Sequence, residues 1–145
     1  MKANRSVPAS TVIPVLVYPD VQEAVGWLSA AFGFVERARI GENHRAQLQV
    51  GEGAVIVADV GGGRRPPRSG EVTHLVTVRV EDVRSHCERA RAHGARILTE
   101  PTDMAYGERQ YNAEDPAGHQ WTFSETLADV APEVWGGESV GPDWQ

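Results

Sequence analysis

The sequence predicts an α+β fold built from two copies of a βαβββ module around a shared cavity, and three observations carry that prediction. First, residues 12–60 and 74–125 run through the same order: an apolar strand, an amphipathic helix, a glycine and three further strand-like runs. Second, the spacing repeats, with Asp20 to Gly33 covering 13 residues and Asp82 to Gly94 covering 12. Third, the last run of each copy is introduced by a turn, Gly51-Glu52-Gly53 in one and Asp115-Pro116-Ala117-Gly118 in the other. Each module presents one sheet face to the other, which places function in the cavity between them.

The elements follow in order. Val12 to Val17 is an apolar strand ended by Pro19-Asp20. Asp20 caps a helix in which Val21, Ala24, Val25, Leu28, Ala31 and Phe32 recur at helical spacing, and Gly33 stops it. Strands are expected over 34–40, 45–50 and 54–60. The run Gly61-Gly62-Gly63-Arg64-Arg65-Pro66-Pro67-Arg68-Ser69-Gly70 supports no element and reads as a linker, 61–73, whose arginines are solvated charge. The second module opens with a strand from His74 or Leu75 to Val80, followed by a helix capped by Asp82 and carrying Val83, Cys87 and Ala90. Arg96–Thr99 is a strand and 100–103 a loop. A strand follows through Tyr111, and Gln120–Ser124 is the last. Residues 1–11 form a frayed arm. Residues 126–145, with Trp135 and Trp144, form a tail that docks on the domain or on a partner subunit.

Composition narrows the function. The 145 residues are 41% hydrophobic and carry a net charge of −6, with one Lys and thirteen Arg. Acidity argues against nonspecific nucleic-acid binding and is compatible with a cationic or neutral small molecule. The single Cys87 suits a reducing compartment and packs as a buried small residue. No stretch reads as a signal peptide or membrane span, so the expectation is a cytoplasmic protein with no membrane and no nucleic-acid partner.

Tyr18-Pro19-Asp20-Val21 through Phe32-Gly33-Phe34, Val80-Glu81-Asp82-Val83 through Gly94-Ala95-Arg96, Tyr106-Gly107-Glu108-Arg109 and Asp115 to Trp121 together resemble the vicinal oxygen chelate superfamily. That superfamily holds glyoxalase I, extradiol dioxygenases and bleomycin resistance proteins, and the resemblance is nearest to the bleomycin-resistance-like and uncharacterised glyoxalase-like branches. It covers about residues 12–125 and implies a half-open barrel and a homodimer. It is specific for fold and weak for activity. Enzymes of the superfamily hold a divalent metal with ligands from the first and last strand of each module. Here those positions fall on Pro14, Val57, Leu75 and Thr122, none a usual ligand for zinc, nickel or iron. His74 lies one residue off, and strand alternation turns it from the cavity, as a capping or partly buried structural histidine.

The resemblance therefore implies a metal-independent small-molecule-binding protein with no cofactor, sequestering an antibiotic or metabolite. The alternative is a lyase, isomerase or dioxygenase with a displaced zinc, nickel or iron site, drawn from Asp59 or Glu125 with His44 or His119. A third reading is a cofactor-free enzyme using His44 or Arg109. The candidate ligand contacts are His44, Tyr18, Trp27, Tyr106, Arg109 and Tyr111: aromatic rings for stacking and cation–π attraction, and one guanidinium for a carboxylate or phosphate. Trp121 is assigned to core packing, and no Ser/His/Asp or Cys/His nucleophile arrangement stands out.

Overall fold

The computed structural model describes residues 2–141. Among these, the chain order is β1 (Val15–Val17), α1 (Val21–Phe32), β2 (Val35–Ile40), β3 (Arg45–Val50), β4 (Gly53–Ala58), β5 (Val76–Arg79), α2 (Val83–Ala92), β6 (Arg96–Asp103), β7 (Glu108–Glu114) and β8 (Gln120–Thr126), then a 3-10 turn at Pro132–Trp135. The two modules form separate four-stranded sheets with matching order, β1-β4-β3-β2 and β5-β8-β7-β6. In each, the first strand pairs parallel with the last, and the remaining pairs are antiparallel.

Local chemistry sets the helix ends. Asp20 accepts the Glu23 amide at 2.9 Å and Asp82 accepts the Ser85 amide at 3.1 Å, so each helix starts on a side-chain cap. Gly33 ends α1 at a φ of 78°, a left-handed turn that a glycine adopts without strain. No basic residue lies in the last turn of α1; Arg89 of α2 supplies one from the other module, donating to the carbonyls of Ala30 (2.7 Å) and Ser29 (3.1 Å). The Trp27 indole donates to the His93 carbonyl at 2.8 Å, a second tie between the helices.

The helices pack on each other and on the inner faces of both sheets, so one core serves both modules. Phe32 is its centre, with ring centroids 4.6 Å from Phe123, 5.6 Å from Trp121 and 5.9 Å from His86. Trp121, Phe123 and Cys87 are buried there, Trp121 and Cys87 as expected. The sheets do not close on each other within the chain: helices fill the space between them, and each sheet keeps a second, open face. A cavity completed by this chain alone is therefore not what the fold provides.

Several boundaries differ from the sequence reading. β6 continues through Glu100-Pro101-Thr102 to Asp103 because Thr102 and Asp103 pair with Gln110 and Arg109, with register shifts on either side of Thr99. His74 is exposed and precedes β5, so it is neither capping nor partly buried. In the tail, Trp135 packs edge-on against Tyr106 at 5.3 Å, while Trp144 lies outside the described residues.

Candidate functional site

Strand alternation sorts each sheet into a core face and an open face. On the second sheet, Tyr111, Ala113, Trp121 and Phe123 enter the core. Gln110 and Asn112 on β7, half-buried, take the other face with Thr122 and Ser124 on β8, which are buried beneath their neighbours. Their side chains are joined. Gln110 Nε2 donates to Ser124 Oγ at 3.1 Å, and Ser124 Oγ donates to Glu108 Oε1 at 2.7 Å. Tyr106 Oη donates to Gln110 Oε1 at 2.8 Å. Asn112 donates to Thr99 Oγ1 at 2.7 Å and accepts from Thr122 Oγ1. The result is a polar floor whose orientation is fixed by its own hydrogen bonds, suited to reading donors and acceptors on a guest.

The open face of the first sheet is more apolar and partly covered. Val15 and Val35 stand 42% and 62% exposed on it, too much apolar surface for a finished exterior. Gln47 is buried there and donates to the Ser6 carbonyl at 2.8 Å, while Arg37 Nη2 donates to the Arg5 carbonyl at 3.0 Å. Arg37 also donates to the Gln47 side-chain oxygen. Pro8 is buried as well, so the residue 5–8 arm lies across this face instead of fraying.

The metal positions need one correction. Val57 is fully buried in the core and pairs with Leu16; Ile56 is its open-face neighbour, paired with Val15. The count from the turn slips because Gly53 already pairs within β4, whereas β8 begins two residues after Gly118. Pro14 shares the core-side parity of Leu16, which leaves Val15 as the open-face residue of β1. Leu75 and Thr122 keep the expected parity, Thr122 pairing with Thr77. Val15, Ile56, Leu75 and Thr122 offer aliphatic groups and one hydroxyl, a donor set that does not fit a divalent metal. Among the described residues, no three His, Cys, Asp or Glu side chains converge on one point. Glu125 accepts the Val83 amide at 3.0 Å, at the start of α2. Asp59 meets His44 at 3.1 Å, two donors on an exposed loop pair.

The six candidate contacts are scattered. Tyr18 and Trp27 come together in a mostly apolar cleft of about 190 Å³ beside Pro116 and Ala117. Tyr106 borders the polar floor. Arg109 makes a forked pair with Asp103, at 2.6 and 3.3 Å, which lowers the Asp103 carboxyl pKa. Tyr111 is fully buried, with its hydroxyl on His86 Nδ1, and burial, then nearby Cys87, pushes its pKa up. His44 lines a separate cleft of about 260 Å³ with Asp59.

Sequence reading missed His86, the polar floor and the Arg37–Gln47 pair. The floor had a signal: Glu108, Gln110, Asn112 and Glu114 alternate with Arg109, Tyr111 and Ala113. His86 Nε2 donates to the Phe32 carbonyl at 3.2 Å, leaving Nδ1 to accept from Tyr111. Burial, outweighing that bond, lowers its pKa, and Arg89 adds to the lowering.

Comparison with known proteins agrees with this architecture. Residues 11–123 match the Glyoxalase/Bleomycin resistance protein/Dioxygenase superfamily, and the chain belongs to that family. An uncharacterized protein of Mycobacterium bovis is 29% identical over 127 residues, covering 81% of this chain and 84% of its own. The crystal structure of TioX from Micromonospora sp. ML1 superposes with a TM-score of 0.69 at 36% identity, covering 82% of this chain and all of that one. The genomically encoded fosfomycin resistance protein FosX of Listeria monocytogenes superposes at 0.63 with 13% identity, covering 81% of this chain and 93% of its own, a likeness of fold alone. No helix among the described residues is long and apolar enough to cross a membrane.

Proposed function

We propose that the chain is a metal-independent small-molecule-binding protein, a homodimer in which the open sheet faces of two copies enclose the ligand, which is an antibiotic or a metabolite. The observation that carries this reading is the second sheet's open face: a pre-oriented row of amides and hydroxyls, with Thr122 where an enzyme of the family would place a metal ligand. Exposed Val15 and Val35 support the second copy, since pairing sheets would bury them. Substrate-binding rows of this kind recognise a guest by hydrogen bonding and need no proton transfer.

The test combines three measurements. Elemental analysis of untagged protein, before and after incubation with zinc, nickel, manganese and iron(II), is expected to show less than one tenth of an equivalent bound. Sedimentation is expected to show a dimer, and a thermal-shift screen of antibiotics and aromatic metabolites a hit that Gln110→Ala with Asn112→Ala removes. Stoichiometric metal overturns metal independence; a hit indifferent to those two substitutions overturns the site.

A further inference from the structure

We infer that the cleft between β1 and the linker joining the two modules is an anion-binding site, taking a small molecule through a phosphate or carboxylate group. The cleft measures about 390 Å³ and is lined by Val15 to Val17 on one wall and by linker residues on the other. Its charged and titratable groups are Arg64, Arg65, Arg68, Glu71, His74 and His119. Three arginines and one carboxylate thus line the cleft, a local excess of positive charge in a chain whose net charge is −6.

Two observations support the site. One is that the three arginines are clustered and uncompensated. They are exposed, fall within five residues of one another, and among the described residues none lies within ion-pair distance of a carboxylate, whereas Arg39, Arg91, Arg96 and Arg109 do. Three like charges within five residues repel one another, and an oxyanion between them relieves that repulsion while accepting forked hydrogen bonds.

The other is that the wall carrying them is fixed. Pro66-Pro67 restricts the backbone. The linker lies against Gly118, whose φ is 97° and where an added Cβ would stand 3.0 Å from the Pro67 carbonyl oxygen. Ser69 Oγ then donates to Glu114 at 2.8 Å and accepts from Arg96 at 3.1 Å, anchoring the segment to the second sheet. A charged loop tied down at both Gly118 and Glu114 loses little further freedom on binding.

The opposite wall adds donors. β1 is an edge strand, and its bonds to β4 run through Pro14 and Tyr18, which leaves the amides of Val15 and Val17 on the free edge. His119 Nε2 donates to the Val17 carbonyl at 2.7 Å, which holds the ring in place at the cleft. Arginine forks on one side and strand amides on the other form a cradle for an oxyanion. The cleft shares Val15 with the open face of the first sheet, but none of the three arginines lies on either sheet, so their substitution tests the cleft separately from the proposed ligand face.

Calorimetric titration at constant ionic strength, with inorganic phosphate, pyrophosphate and citrate as probes, tests the site. The expected result is saturable binding of at least one probe at one site per chain. Which probe binds tightest distinguishes phosphate from carboxylate chemistry. Arg65→Ala with Arg68→Ala is expected to weaken it at least tenfold, Arg65→Lys with Arg68→Lys less, and Arg84→Ala, an exposed arginine outside the cleft, not at all. Thermal melts of the variants check that each is folded. Absence of saturable binding by all three probes, or an equal loss in Arg84→Ala, overturns the inference.

Discussion

Tyr18 Oη donates to Asp115 Oδ2 at 2.6 Å, joining residues 97 apart and tying the end of β1 to the turn before β8. The same carboxylate accepts the Trp121 indole at 3.1 Å and, through Oδ1, the amides of Ala117 (3.1 Å) and His119 (3.0 Å). Burial raises the Asp115 pKa, against the lowering effect of these bonds, while burial and then the carboxylate raise that of Tyr18. One acceptor thus serves the turn, the core tryptophan and the other module.

Asp115→Asn puts an NH₂ among four donors and strands part of them. The expected loss is about 3 kcal/mol, because each buried donor left unpaired costs about 1–3 kcal/mol. Urea denaturation of both proteins measures it, and Tyr18→Phe, which removes only one donor, is expected to cost less.

His86 gives the fold an acid-side weakness. Its pKa is lowered from an ordinary 6.5, so its contribution is intact above that value and is lost as pH falls through the lower folded pKa. Melting temperature is expected to fall between pH 6.5 and 5 in the wild type, and the slope to flatten in His86→Gln. Asp115 works in the opposite sense. Its raised pKa adds relative stability as pH falls through the folded value towards 3.8, so the His86 effect is read as the difference between wild type and His86→Gln at each pH, in which the Asp115 contribution is common to both.

Gly107 and Gly94 share a positive φ, 85° and 88°, but not their surroundings. A Cβ on Gly107 would stand 2.5 Å from the Ala128 carbonyl oxygen and 2.9 Å from Val130; one on Gly94 meets nothing within 4 Å. Gly94→Ala is expected to cost about 1–2 kcal/mol, the left-handed penalty alone. Gly107→Ala is expected to exceed 3 kcal/mol and to lift residues 127–130 from the end of β7, as steric displacement adds to backbone strain. Denaturation midpoints and hydrogen exchange at Leu127 and Ala128, whose amides donate to the Gly107 carbonyl at 2.8 and 3.2 Å, check both.

Freeing the amino-terminal arm is the fourth expectation. Arg37→Ala with Gln47→Ala removes the donors that hold the Arg5 and Ser6 carbonyls. Trypsin cleavage after Arg5 is then expected to accelerate at least several-fold, with cleavage elsewhere unchanged. An unchanged rate at Arg5 places the hold in Pro8 packing instead.

The repeat was legible because its punctuation is local. Asp20, Asp82, Gly33 and Gly94 act within a turn of their own positions, and α1 and β3 have the boundaries that spacing predicts. What failed depended on partners. Val57 was assigned to the open face by counting from a turn, but register is set by pairing with Leu16 and Ala46. β6 extends past Pro101 only because β7 reaches alongside it. Nothing within its own helix marks His86; its setting is made by Phe32 of the other module. The candidate contacts rest on side-chain chemistry alone, and Arg109 and Tyr111 find protein partners in Asp103 and His86.

The arm across the first sheet has a practical consequence for handling the protein. Arg5 and Ser6 are gripped by Arg37 and Gln47, so any purification handle fused ahead of residue 1 begins its path only a few residues from a candidate ligand face. Such a fusion becomes a competing guest or a screen in binding assays, and one tagged preparation can differ from another in apparent affinity without any change in sequence at the site.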